Sequence, residues 1–169
     1  MHIFIITGAS CVGKSSAAKT LLKHVKIKAA YLDCDWVACY VPFDFINRPA
    51  LMEANICACV PNYAKAGVEC MIITWAHIDQ VPDFTNQLFQ MGYDVQVISL
   101  VADKISLMRR YEKSGGSNQD SYLQVIYKLD EQSRKLNCDF RLDMSEMSID
   151  DVAEQIAEKI QRIIEGNNA

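Results

Sequence analysis

The string Gly8-Ala9-Ser10-Cys11-Val12-Gly13-Lys14-Ser15 constrains this chain more than any other feature, because of what flanks it. An apolar run over 3–6 leads into it, and a helical pattern with Ala18, Leu21, Leu22 and Val25 on one face leads away. Strand, glycine-bearing turn and helix form the setting in which GxxxxGK[ST] holds phosphate. Glycine lets the backbone curl until its N–H groups converge, and the new helix adds its positive end. Gly8, Ala9, Ser10, Cys11, Val12, Gly13, Lys14, Ser15 and Ser16 are therefore expected to surround a nucleoside triphosphate, with Lys14 reaching the outer phosphates. The Ser15 hydroxyl is expected on magnesium, so ATP and Mg2+ are the expected cofactors.

The rest of the chain supplies the other layers of such a fold. Apolar runs over 3–7, 30–32, 68–74, 95–101 and 140–142 alternate with segments long enough for crossover helices, which implies a parallel sheet in an α/β fold. A last helix is expected from Ile149, Val152, Ala153, Ile156, Ile160 and Ile163, capped by Ser148 with Asp151 three residues on. Gly166-Asn167-Asn168-Ala169 carries nothing apolar and reads as a frayed tail. At 169 residues, half of them hydrophobic, the chain fits a single domain over 1–169 with one substantial core.

Charge and cysteine usage narrow the class. A formal net charge of -4 and no block of Lys or Arg disfavour nucleic acid as a partner. No apolar stretch reaches the roughly 20 residues that span a bilayer, and nothing at the start resembles an export signal, so a cytoplasmic protein is expected. The 7 cysteines lack CxxC spacing, and reduced, mostly buried thiols are expected. Convergence of Cys34, Cys39, Cys57 and Cys59 on a metal stays open as an alternative. Cys11, at a helix start, is expected to be the most alkylation-sensitive thiol unless the cramped loop hides its sulfur.

Proteins that share the phosphate cradle differ in their other motifs. No DxxG and no NKxD occurs, which argues against a GTPase, and 71–75 does not end in the acidic pair that activates water. The second apolar run ends instead in Leu32-Asp33-Cys34-Asp35-Trp36. Two carboxylates at i and i+2 on an extended strand end face the same way about 7 Å apart, toward the cleft beyond the sheet. One could hold magnesium-bound water while the other accepts a proton from, or bonds, an acceptor hydroxyl.

With these residues in view, the chain resembles the small P-loop kinases of the shikimate-kinase and gluconate-kinase type, within the nucleoside-monophosphate-kinase-like fold. The resemblance rests on Lys14-Ser15, on Asp33-x-Asp35, on Arg109 and Arg110 before the polar stretch Lys113-Ser114-Gly115-Gly116-Ser117-Asn118, and on Leu142-Asp143-Met144-Ser145 before the last helix. It implies a three-layer P-loop NTPase fold, a five-stranded parallel sheet in the order 2-3-1-4-5 flanked by helices, and a small lid around 110–120. It implies that Arg109 or Arg110, and in a further reading Arg134, face the transferred phosphate, and that Asp143, Met144 and Ser145 border the adenine. It assigns the metal-water role to Asp33 and the acceptor role to Asp35, so Lys14, Asp33, Asp35 and Arg110 are the expected catalytic set, with Ser15 and Asp33 at the metal.

The family does not name the acceptor. Thr74-Trp75-Ala76-His77 stands where shikimate kinases have a glycine-rich turn, and Trp36-Val37-Ala38 where gluconate kinases usually place a histidine. Asp35, Trp36, Arg48 and Trp75 are the candidate substrate contacts, with His77 beside them. A core role for either tryptophan and a surface ion pair for Arg48 stay open. The expectation is an ATP-dependent phosphotransferase acting on a hydroxyl of a small molecule, as a monomer or homodimer. The alternatives are a regulatory P-loop ATPase and a kinase of an antibiotic or of a nucleic-acid end.

Overall fold

The structure is a computed structural model that describes residues 1–41, 46–117, 119 and 121–166. Its strands are β1 (His2–Gly8), β2 (Ala29–Asp33), β3 (Cys70–Trp75), β4 (Asp94–Val101) and β5 (Phe140–Asp143). They form one sheet of 5 strands in the order β2-β3-β1-β4-β5, and every neighbouring pair is parallel. The helices are α1 (Lys14–Leu21), α2 (Arg48–Lys65), α3 (Val81–Gln90), α4 (Lys104–Lys113), α5 (Ser121–Lys135) and α6 (Ile149–Gly166), with a short 3-10 turn at Ile78–Gln80 before α3.

The alternation of strand side chains divides the core between the two faces of the sheet. Phe4, Ile6, Ile72, Ile98 and Leu100 point to one face and pack with Leu21 of α1, Ile126 of α5 and Ile156 and Ile160 of α6. Ile3, Ile5, Met71, Ile73 and Trp75 point to the other and pack with Met52 and Ile56 of α2 and Phe84 and Leu88 of α3. Covered on both sides, β1 and β3 need no polar face, which is why they read as unbroken apolar runs.

Because the pairing is parallel and in step, the strand ends meet at one edge. Thr7 lies beside Trp75, Asp33 beside Thr74, Gly8 beside Leu100 and Val101 beside Asp143. Those ends carry the phosphate loop, the acidic pair and the loop after β5.

Two local expectations change. α1 stops at Leu21, leaving Leu22 at 37 % exposed and Val25 beyond the helix, so the apolar face continues into a turn. In α6 the core position falls to Ile164, and Ile163 is only partly buried. Its cap forms as expected: Asp151 N–H donates to Ser148 Oγ at 3.1 Å, and Ser148 N–H donates back to the Asp151 carboxylate at 3.3 Å. Residues 118 and 120 of the expected lid, and 167–169 of the expected tail, lie outside the described residues. No helix among the described residues is long and apolar enough to cross a membrane.

Candidate active site

β1 delivers the chain to the sheet edge, and Gly8 starts the turn. At φ 150° its α-carbon lies so near β4 that a Cβ would sit 2.4 Å from the Leu100 carbonyl oxygen. Gly13, at φ 113°, turns the chain into α1 in a conformation that other residues avoid. Cys11 adopts a positive φ of 62° without being glycine, a sign of a loop fixed by its surroundings. Lys14 folds back over this loop and donates from Nζ to the carbonyls of Gly8 and Ala9, each at 2.9 Å. Burial pushes its pKa below the ordinary value, and the nearby acidic groups, Asp35 and Asp33 among them, oppose that shift.

Asp33 closes β2 as a buried carboxylate. Its Oδ2 accepts from Ser15 Oγ at 2.8 Å and from the Tyr31 hydroxyl at 2.6 Å. Burial pushes the Asp33 pKa up, but the bonds from Tyr31, Ser15 and the Asp35 N–H outweigh it and hold it below the ordinary value. Tyr31 moves to about 12, first by burial and then by its bond to Asp33, so it stays a neutral donor. Ser15 and Asp33 thus offer two hard oxygen donors within hydrogen-bonding reach, beside the loop built for phosphate. That donor set fits magnesium.

The expected 7 Å spacing of the acidic pair is replaced by a turn. Asp35 N–H donates to Asp33 Oδ1 at 3.1 Å and Trp36 N–H to the Asp33 carbonyl at 3.1 Å, so the chain curls directly after the strand. Ligand atoms of Asp33, Cys34 and Asp35 come within 4.8 Å of one another. Cys34 itself is buried and, chiefly by that burial, its thiol rises to about 12. All 7 cysteines are free, and no group of Cys34, Cys39, Cys57 and Cys59 gathers for a metal among the described residues.

Asp35 faces solvent, with its side chain 60 % exposed, and Arg48 Nη2 donates to its Oδ1 at 2.9 Å. Its Oδ2 has no hydrogen-bond partner among the described residues. Cys11, Gly13, Lys14, Ser15, Ser16, Asp35 and Ala76 border one cavity of about 260 Å3. The phosphate loop and the second acidic residue therefore border the same space.

Other candidates fall elsewhere. Trp75 is wholly buried, stacks on Phe84 with centroids 4.2 Å apart and donates from Nε1 to the His77 carbonyl. Its substrate role is corrected to a core role: it is the last residue of β3 and points to the α3 face. Trp36 is 77 % exposed. His77 is half-buried, and burial lowers its pKa.

Arg110 donates from Nη1 to the Val12 carbonyl at 2.8 Å and from Nη2 to the Met144 carbonyl, so it ties the phosphate loop to the loop after β5. Arg109 is exposed on α4. Arg134 pairs with the buried Asp130 at 2.7 Å and donates to the Ala102 carbonyl, while Asp130 accepts from the Ala102 N–H. That closed arrangement braces the end of β4, and among the described residues no hydrogen bond joins Arg134 to the phosphate loop. The loop after β5 is pinned by Asp143 Oδ1, which accepts from Ser145 N–H at 2.9 Å, and by Ser145 Oγ, which accepts from Asp103 N–H at 2.8 Å.

Sequence reasoning missed Tyr31, whose signal was present: it lies two residues before Asp33 and so on the same side of β2. It also missed that Ser10 bonds the Tyr122 hydroxyl at 3.1 Å, a contact across 112 residues that no local pattern foretells.

No protein-family model matches the sequence, and no curated protein matches it. Solved structures do. A tunicamycin resistance protein from Deinococcus radiodurans superposes with a TM-score of 0.72 at 17% identity, over 94% of this chain and 95% of that one. A gluconokinase from Sinorhizobium meliloti gives 0.70 at 15% identity, over 99% and 95%. A shikimate kinase from Aquifex aeolicus gives 0.65 at 16% identity, over 98% and 99%. With the β2-β3-β1-β4-β5 sheet and the loop at Gly8–Ser15 already in place, the chain has the three-layer α/β fold of the small P-loop kinases.

Proposed function

We propose that this chain is an ATP-dependent phosphotransferase that transfers the terminal phosphoryl group to a hydroxyl of a small molecule. It would act in the cytoplasm as a monomer or homodimer. The observation that carries the reading is the shared cavity, whose lining includes Lys14 and Ser15 of the phosphate loop together with Asp35.

In this reading the loop N–H groups and Lys14 hold the β- and γ-phosphates, and Lys14 exchanges its bonds to the Gly8 and Ala9 carbonyls for phosphate oxygens. Ser15 and Asp33 would hold the magnesium ion, which would supply neutralisation of charge on those oxygens. Asp35, kept in place by Arg48, accepts the acceptor's proton through Oδ2. The acceptor oxygen forms its bond to the γ-phosphorus as the bond from that phosphorus to the bridging oxygen breaks, and ADP leaves with the electron pair. Arg110, by joining Val12 to Met144, fixes the loop on which the phosphates rest.

The kinases among the structural neighbours support the general reaction and leave the acceptor open. Acceptor-dependent ADP formation across a library of hydroxylated metabolites tests the proposal. Stimulation of ADP release by one chemical class is the expected result. ADP release at one rate with and without every acceptor would favour the regulatory ATPase.

A further inference from the structure

The turn after Asp33 opens onto a second hollow, of about 360 Å3, walled by Ala38, Cys39, Tyr40, Val41 and Arg48. Val41 is 93 % exposed and Trp36, next to the acceptor carboxylate, 77 % exposed. Arg48 lines this hollow and is bonded to Asp35, which lines the first cavity: Nη2 donates to Asp35 Oδ1 and to the Asp35 carbonyl at 3.2 Å, and Nε to the Ala38 carbonyl at 3.1 Å. The hollow thus lies one side chain away from the Asp35 carboxylate.

The chemistry of the wall differs from what a bare polyol requires. A ligand with several hydroxyls needs several fixed donors and acceptors, each paired in the complex. Here the uncharged side chains are a methyl group, a thiol, a phenol and a branched hydrocarbon, so the Tyr40 hydroxyl is the one strong hydrogen-bonding group among them. The one charged group, Arg48, donates to the carbonyls of Asp35 and Ala38 and to the Asp35 carboxylate. The Cys39 thiol likewise turns inward, to the Asp35 carbonyl at 3.1 Å. Val41 and Trp36, open to water beside a polar reaction centre, offer the apolar contact that a ligand's hydrocarbon part would cover.

Resting on the kinase reading, we infer that the acceptor is amphipathic: a hydroxyl that reaches Asp35, carried on an apolar chain or ring that covers Ala38, Cys39, Tyr40 and Val41.

The test uses matched alcohols, in which the reacting group is constant and the apolar body varies: glycerol against its 1-O-hexyl and 1-O-benzyl ethers, and glucose against hexyl glucoside. Acceptor-dependent ADP release is expected to be about tenfold or more greater in kcat/KM for the alkylated member of a pair, the scale of a few methylenes in an apolar site. Val41→Asp, made at a solvent-facing position, is expected to cancel that preference through KM, while calorimetric affinity for ATP and magnesium stays at the wild-type value. Equal kcat/KM within each pair, or a preference that survives Val41→Asp, would overturn the amphipathic acceptor and leave the kinase reading standing. ATP binding without acceptor-dependent ADP from any alcohol would remove both.

Discussion

Asp33 shows how one residue's chemistry is set by its neighbours. Its Oδ2 takes two hydroxyl donors, and Tyr31→Phe removes one of them without changing the shape of the strand. The Asp33 pKa, now held below its ordinary value, should rise. Its depressed folded value means that the stabilisation it gives is present above the unfolded pKa and is lost as pH falls through the folded one. Both the acid limb of kcat/KM and the onset of acid unfolding should therefore move to higher pH in Tyr31→Phe, as pH-rate profiles and pH-dependent melting would show. Asp35→Asn should lower acceptor-dependent turnover by about a hundredfold with ATP affinity unchanged, whereas Asp33→Asn should weaken the magnesium dependence as well. Full transfer activity in Asp35→Asn would remove Asp35 from the acceptor role. The sequence placed both carboxylates at a strand end, yet it could not show the Asx turn that draws Asp35 back onto Asp33. That turn depends on one backbone N–H finding one carboxylate oxygen.

At the scale of elements, α4, the residue that caps it and α5 each touch one of three consecutive residues of the phosphate loop. Ser10 meets Tyr122, Cys11 Sγ lies 3.9 Å from Ser114 Oγ, and the Val12 carbonyl accepts from Arg110. Strand and helix order were legible because each element carries its own period. These contacts were not, since they join residues about a hundred positions apart. α4 itself depends on Asp103, which caps it by accepting from Ser106 N–H at 2.8 Å. That bond, with those from the Ser106 and Ser145 hydroxyls, brings the Asp103 pKa to about 2. Stabilisation by Asp103 is thus complete above its ordinary 3.8 and is lost as pH falls toward about 2. Asp103→Ala should cost about 1 kcal/mol at neutral pH, the usual worth of an N-cap. Asp103→Asn keeps a capping oxygen and should lose little at neutral pH, but its stability should no longer depend on pH in that window. Denaturant titrations at pH 7 and pH 3 separate the two.

For the whole molecule, nucleotide binding should couple the sheet edge into one unit, because Lys14 and Ser15 of α1 and Asp33 of β2 would then hold the same ligand. Lys14 makes this testable without an acceptor. Burial depresses its pKa, so the folded chain carries this ammonium at a cost, which eases as pH rises through the folded value. Lys14→Ala removes that cost together with two bonds to loop carbonyls, effects of opposite sign. The melting temperature without ligand should therefore change little. In the wild type, ATP and magnesium at about a hundred times Kd should stabilise by about 2.7 kcal/mol, roughly 5–10 °C for a domain of this size. In Lys14→Ala that rise should vanish. Thermal melts with and without MgATP check both parts. A Lys14→Ala protein that melts like the wild type and still gains the full ligand shift would show that the loop at Gly8–Ser15 does not hold the triphosphate.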